Sequence, residues 1–130
     1  MRADSRLLAA VFAGGFAGAL ARTELAIAWP ADGAAWPWAT FTANVGGALL
    51  LGLIVGRDRR AARAPGTTQA LLGAGFCGAL TTFSALQLEL LTMLSDGRIA
   101  RAAVYAFASV AAGLAGIAAT SRTPGERATA

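Results

Sequence analysis

Histidine and lysine are missing from this 130-residue chain, and cysteine and tyrosine occur once each. Without histidine there is neither imidazole acid–base chemistry nor a histidine metal site. The lone Cys77 excludes an intrachain disulfide, and its apolar setting makes it a small packing residue. Nucleophile–base pairs and metal-ligating clusters are also lacking, so an enzyme is not expected. Charge is scarce: 14% of residues are charged against 56% hydrophobic, with a mean hydropathy of +0.58. That balance belongs to integral membrane proteins. All 11 basic residues are arginines that flank apolar blocks instead of lining one soluble face. The net charge of +4 therefore does not indicate a nucleic-acid surface.

Four apolar blocks remain, each near the roughly 20 residues an α-helix needs to cross the hydrocarbon core. They cover about residues 7–28, 36–55, 69–94 and 101–119, joined by short connections. A single all-α, four-helix transmembrane domain over residues 1–130 is predicted. Arg2 and Arg6 precede the first block as they would in a signal peptide. The block runs on through Gly14, Gly15 and Gly18 without a polar cleavage region, so it is expected to be retained. Trp29, Trp36 and Trp38 gather at one predicted interface. One side of the membrane collects Arg2, Arg6, Arg57, Arg59, Arg60, Arg63, Arg122 and Arg127, and the other only Arg22, Arg98 and Arg101. The positive-inside rule then predicts that the termini and the loop between the second and third blocks are cytoplasmic. Gly14/Gly18, Gly52/Gly56 and Gly113/Gly116 have the spacing that lets helix backbones approach closely in lipid. Four helices packed that tightly leave little room for an internal pore, which directs a pathway to a boundary between subunits.

The polar residues inside the blocks carry the functional signal. Residues 75–89 read GFCGALTTFSALQLE within the third block. Lipid tolerates such a run only where it lines a cavity or binds something. Gly75 and Gly78 followed by Thr81 and Thr82 predict a helix break, because glycine holds a helix poorly and threonine competes for backbone groups. A midplane break frees carbonyls that ligate a cation, while half-helix N-termini face anions; a kink packed by neighbours is the plainer reading. Asn44, mid-block, is either an interhelical clamp or a donor facing an anion. Phe83 is either filler or a ring whose positive edge meets an anion, and Leu86 falls on the same predicted face. Glu89 is the one acid well inside a block, so it is a proton-coupling group or a hydrogen-bonded structural one. Tyr105 and Ser109, four apart, present their hydroxyls on one helical face.

Together these residues resemble the Fluc (CrcB) family of fluoride channels over about residues 7–119. GGFAGALAR in the first block matches a glycine pattern ending in a pore-mouth arginine, Arg22, although Thr23 replaces the usual tyrosine. NVGGALLLG places the pore asparagine at Asn44, and GFCGALTTFS matches the signature of the third helix. The resemblance implies an antiparallel dimer, of identical or paralogous subunits, with two fluoride pathways along the interface. It also implies a structural, untransported sodium held by backbone carbonyls of Gly78 and Thr81. Pathway residues would be Asn44, Phe83, Ser84, Tyr105, Ser109 and Arg22, with Glu89 as the central glutamate. Leu86 stands where the family has a second phenylalanine, and Ala85 where it has a hydroxyl residue, which implies an altered pathway on one side. The arginine bias favours a single insertion orientation and hence an oppositely oriented paralogue. The competing reading is a proton-coupled exporter of the small multidrug type that uses Glu89. A membrane assembly subunit without transport leaves Asn44 and the interrupted third block unexplained.

Overall fold

A computed structural model of the chain describes residues 4–31, 35–62 and 64–121. Arg2, Arg63, Arg122 and Arg127, which entered the predicted orientation, lie outside the described residues. Four helices are long and apolar enough to cross a membrane: Ser5–Ala28, Trp38–Arg60, Gln69–Ser95 and Ile99–Ser121. The first two are α1 (Ser5–Ala28) and α2 (Trp38–Arg60). The third is composite: a π-helical segment (Gln69–Cys77), a single turn α3 (Gly78–Leu80) and then α4 (Phe83–Ser95). Helix α5 (Ile99–Ser121) completes the bundle.

Local chemistry sets the boundaries. The Asp4 side chain accepts a hydrogen bond from the Arg6 amide at 3.0 Å and starts α1. Pro30 follows the last turn, where a continuing helix would need an N–H. Hydropathy predicts a start for the second span at Trp36, but α2 begins at Trp38. Pro37 disfavours helical geometry in the residue before it, which leaves Trp36 outside. At its other end α2 continues past Val55 to Arg60, and Arg57, Arg59 and Arg60 complement the negative end of the helix dipole. Helix α4 stops in a Schellman motif, with Gly97 at φ 72°, Gly97 N–H to Leu94 O at 3.0 Å and Arg98 N–H to Met93 O at 2.8 Å. Between α3 and α4 the backbone is extended at Thr81 (φ −75°, ψ 148°) and Thr82 (φ −147°, ψ 123°).

Glycine decides which helices touch. Gly14 and Gly18 of α1 lie directly against the backbone at Leu71 and Phe76 of the π segment, and Gly75 packs back onto Val11 and Gly14. Gly52 and Gly56 of α2 meet Ile117, Thr120 and Ser121 of α5, while Gly116 meets Leu49. These approaches replace the hydrophobic effect, which lipid does not supply between helices, with close backbone packing. Gly113 differs from the expected pairing, since nothing lies within 4 Å of where its Cβ would be. The small apolar core of Leu86, Met93, Ala102 and Tyr105 sits at the α4–α5 contact, with Trp36, Phe41 and Leu90 packed against it. Trp29 and Trp38 are exposed, as interfacial rings should be. Trp36 instead turns inward, edge-on to Tyr105 at 5.1 Å and to Phe41 at 5.8 Å.

A Cβ at Gly14 would run into backbone of the π segment that no side-chain rotation can move. Gly14→Ala is expected to destabilise the purified chain by about 1 to 3 kcal/mol, the usual range for overpacking. Gly46→Ala, where a Cβ meets nothing within 4 Å, should leave the thermal midpoint unchanged or raised. Equal midpoints for the two variants would contradict the packing described.

Candidate functional site

The polar residues of the third span converge on α2. The Asn44 side chain bridges the extended pair: its Oδ1 accepts from the Thr82 amide at 2.7 Å and its Nδ2 donates to the Thr82 carbonyl at 3.0 Å. A primary amide offers two donors and an acceptor, so it matches both backbone groups of one residue and keeps one N–H in hand. In a continuous α-helix the Thr82 amide would reach back to the Gly78 carbonyl. Its diversion to Asn44 takes that helical donor away from Gly78. Thr81 donates twice to the Cys77 carbonyl, through its amide at 3.0 Å and its hydroxyl at 2.9 Å. The Thr82 hydroxyl caps α4 by accepting from the Ala85 amide at 3.2 Å, and it lies 3.2 Å from the Ser84 hydroxyl.

Two turns further along α4, Glu89 forms a second junction. Thr40 of α2 donates its hydroxyl to Oε1 at 2.5 Å, and Tyr105 of α5 donates to Oε2 at 2.6 Å. Both lengths fall at the short end of the range for O–H···O hydrogen bonds. The hydrogen bonds to threonine and tyrosine anticipated for Glu89 are present in this geometry. Tyr105 is fully enclosed. Ser109, one turn along α5, is buried, and its Oγ has no hydrogen-bond partner among the described residues.

A cleft of about 500 Å³ opens beside this network, with Arg22, Thr23, Thr40, Thr82 and Ser84 among its lining residues. A second cavity of about 290 Å³ holds Glu89 and shares Ala85 and Leu88 with the first. Polar groups therefore run from Arg22 and Ser84 at the cleft, through Thr40, to Glu89 and Tyr105. Phe83, the first residue of α4, is 70% exposed on the outside of the chain. Leu86, expected on the same face, is buried at 7% exposure against Tyr105. The difference arises because the α4–α5 contact covers Leu86 and stops short of the helix start. Asn44, Ser84, Arg22, Glu89 and Tyr105 are thus brought together, Ser109 extends the line, and Phe83 stands apart from it.

Thr40 was not singled out in the sequence, and Thr82 only as part of the predicted helix break, although both are central. Thr40 precedes Asn44 by four residues, so the two share a face of α2. That spacing was the available signal. Replacing Thr40 by Val, or Tyr105 by Phe, leaves one carboxylate oxygen without its donor. Each change is expected to destabilise the chain by about 1 to 2 kcal/mol. The double variant should deviate from the sum of the two, because both donors serve one carboxylate. Strict additivity in thermal unfolding would mean that the carboxylate does not couple α2 to α5.

Residues 9–121 match the family described as CrcB-like protein, Camphor Resistance (CrcB). The chain is 50% identical over 111 residues, 85% of its length and 84% of the relative's, to the "Fluoride-specific ion channel FluC 1" of Mycolicibacterium paratuberculosis. It is 40% identical over 105 residues, 81% of its length and 82% of the relative's, to the "Fluoride-specific ion channel FluC" of Bordetella avium. A protein of the same name from Prosthecochloris aestuarii is 38% identical over 104 residues, 80% of this chain and 81% of the relative.

Proposed function

The chain belongs to the CrcB family, and from that premise we propose that it is a fluoride-selective channel that lets cytoplasmic fluoride leave the cell passively and so lowers its toxicity. The observation that carries this reading is identity to fluoride-specific channels over at least four-fifths of both chains. The donor set supports it. Fluoride is small and strongly hydrated, so its pathway must replace water with hydrogen-bond donors that release it again. Arg22, Ser84, Ser109 and the remaining N–H of Asn44 are donors of that kind, while the Tyr105 hydroxyl, already donated to Glu89, serves the line by holding that side chain. The edge of the Phe83 ring, partly positive, offers a further contact for an anion. The proton-coupled exporter is not favoured, since each oxygen of Glu89 is held by a hydroxyl.

The working unit in this proposal is an antiparallel dimer in the cell membrane, its termini cytoplasmic, with two pathways along the interface. The exposed Phe83 at the outside of the chain supports a partner there. The partner is an identical or a paralogous subunit, and the arginine bias favours the paralogue. The third helix, broken at Thr81–Thr82, brings carbonyl oxygens to the dimer centre. The Gly78 carbonyl, deprived of its helical donor, and the Thr81 carbonyl, turned out by ψ 148°, suit a structural sodium. When bound, that ion supplies charge to tie two subunits together and is not transported.

The test is efflux from liposomes carrying the purified chain, read with fluoride and chloride electrodes. Fluoride release with little chloride release is expected, lost in Phe83→Ile and when sodium is replaced by a bulky organic cation. Release of both ions alike would overturn fluoride selectivity, and wild-type rates in Phe83→Ile would reduce that ring to packing. Sodium-independent flux would remove the central ion. Full flux from the chain alone would make the partner identical, and flux only with an added paralogue would make it paralogous.

A further inference from the structure

Outside the pathway, the end of the bundle at α2's last turn carries a groove of mixed character. An apolar trough of about 450 Å³ runs between Leu7 of α1, Leu51 of α2 and Gly73 and Ala74 of the π segment. At its mouth lies a polar pocket of about 140 Å³, lined by Arg57, Asp58, Thr67, Thr68 and Gln69. The two adjoin, with Gly66 and Gln69 lining both. Arg59 and Arg60 follow Arg57 in the last turn of α2, and Arg63 follows in the sequence. Asp58 is the opposing charge: its carboxylate lies 3.7 Å from Arg57 Nε, and Arg57, Arg59 and Arg60 outnumber it three to one. The Arg57 side chain is 56% exposed. Gln69 Oε1 is buried with no hydrogen-bond partner among the described residues.

We infer that this depression binds one anionic phospholipid whose headgroup carries a hydroxyl. Each part of such a molecule has its match. The phosphate meets Arg57 and the hydroxyls of Thr67 and Thr68, as arginine clusters at the end of a membrane span attract anionic lipid. The headgroup hydroxyl donates to the orphaned Gln69 Oε1, which otherwise stays unsatisfied. An acyl chain fills the trough beside Leu7, Leu51 and Ala74. A polar, positively charged mouth leading into an apolar trough at the membrane boundary fits an amphiphile better than a helix of a second copy, which would bury the arginines against apolar surface.

The test uses the full chain in detergent and phosphatidylglycerol, phosphatidylcholine and inorganic phosphate as probes. Native mass spectrometry should retain one phosphatidylglycerol per chain in preference to phosphatidylcholine. The unfolding midpoint should rise by several degrees with phosphatidylglycerol and little with the other two. Arg57→Gln, which removes the charge, and Ala74→Phe, which fills the trough from an exposed position, should each lose most of that rise. A rise that persists in both variants, or is matched by inorganic phosphate or phosphatidylcholine, overturns the proposal. So does dissociation of an oligomer by Ala74→Phe, which would give the trough to a second copy. Should a variant fail to fold, lipid retention by the wild-type chain decides alone, and equal retention of the two lipids counts against it.

Discussion

The side-chain amide of Asn44 takes the place of a missing turn of helix. A backbone group without a partner in hydrocarbon costs several kcal/mol, and the chain leaves the helical ladder after the Thr81 amide, in the middle of a span. Asn44 answers the amide and the carbonyl of Thr82 at once. That places a demand on everything around it, because α2 must sit at a fixed rotation and depth for both bonds to form. The glycine contacts meet the demand. Gly52 and Gly56 seat α2 on α5, and Gly14 and Gly18 seat α1 on the π segment that leads to the interruption. With Thr82 held, its hydroxyl caps α4 and sets the start of that helix, where Phe83 and Ser84 lie.

The carboxylate of Glu89 repeats the arrangement two turns away. Thr40 and Asn44 share a face of α2, so one helix grips the third span at both Thr82 and Glu89, and Tyr105 ties the second grip to α5. Trp36 then covers the Tyr105 ring edge-on. The outcome is a line of hydroxyl and amide groups fixed by bonds to one another and edged by a cleft that carries Arg22. A pathway for a strongly hydrated anion needs such donors held in place, since donors that must reorganise cannot replace a hydration shell without loss.

Much of this was legible in the residues. Hydropathy located four spans, small-residue spacing located the helix contacts at Gly14/Gly18 and Gly52/Gly56, and the polar run around Thr81 marked the unusual part of the third span. Other features depend on three-dimensional facts that spacing does not carry. The π-helical segment is built mostly from Gly, Ala and Leu, whose pattern does not distinguish a wider helix from an ordinary one. Thr40 and Glu89 are 49 residues apart, and their pairing depends on the rotation of two helices. Phe83 and Leu86 differ in burial because α5 covers only part of the α4 face. Trp36 faces inward because Pro37 keeps it out of α2, a consequence visible in the sequence only once the core beside it is known.

The most direct measurement is fluoride efflux from liposomes containing Asn44→Asp. The aspartate keeps an acceptor for the Thr82 amide but loses the donor to its carbonyl, and it sets a negative oxygen against that carbonyl and against the permeating anion. Efflux indistinguishable from protein-free liposomes, by chains that still assemble, is the predicted result. Efflux at the wild-type rate would contradict both the role of Asn44 in holding the extended pair and the passage of fluoride beside it.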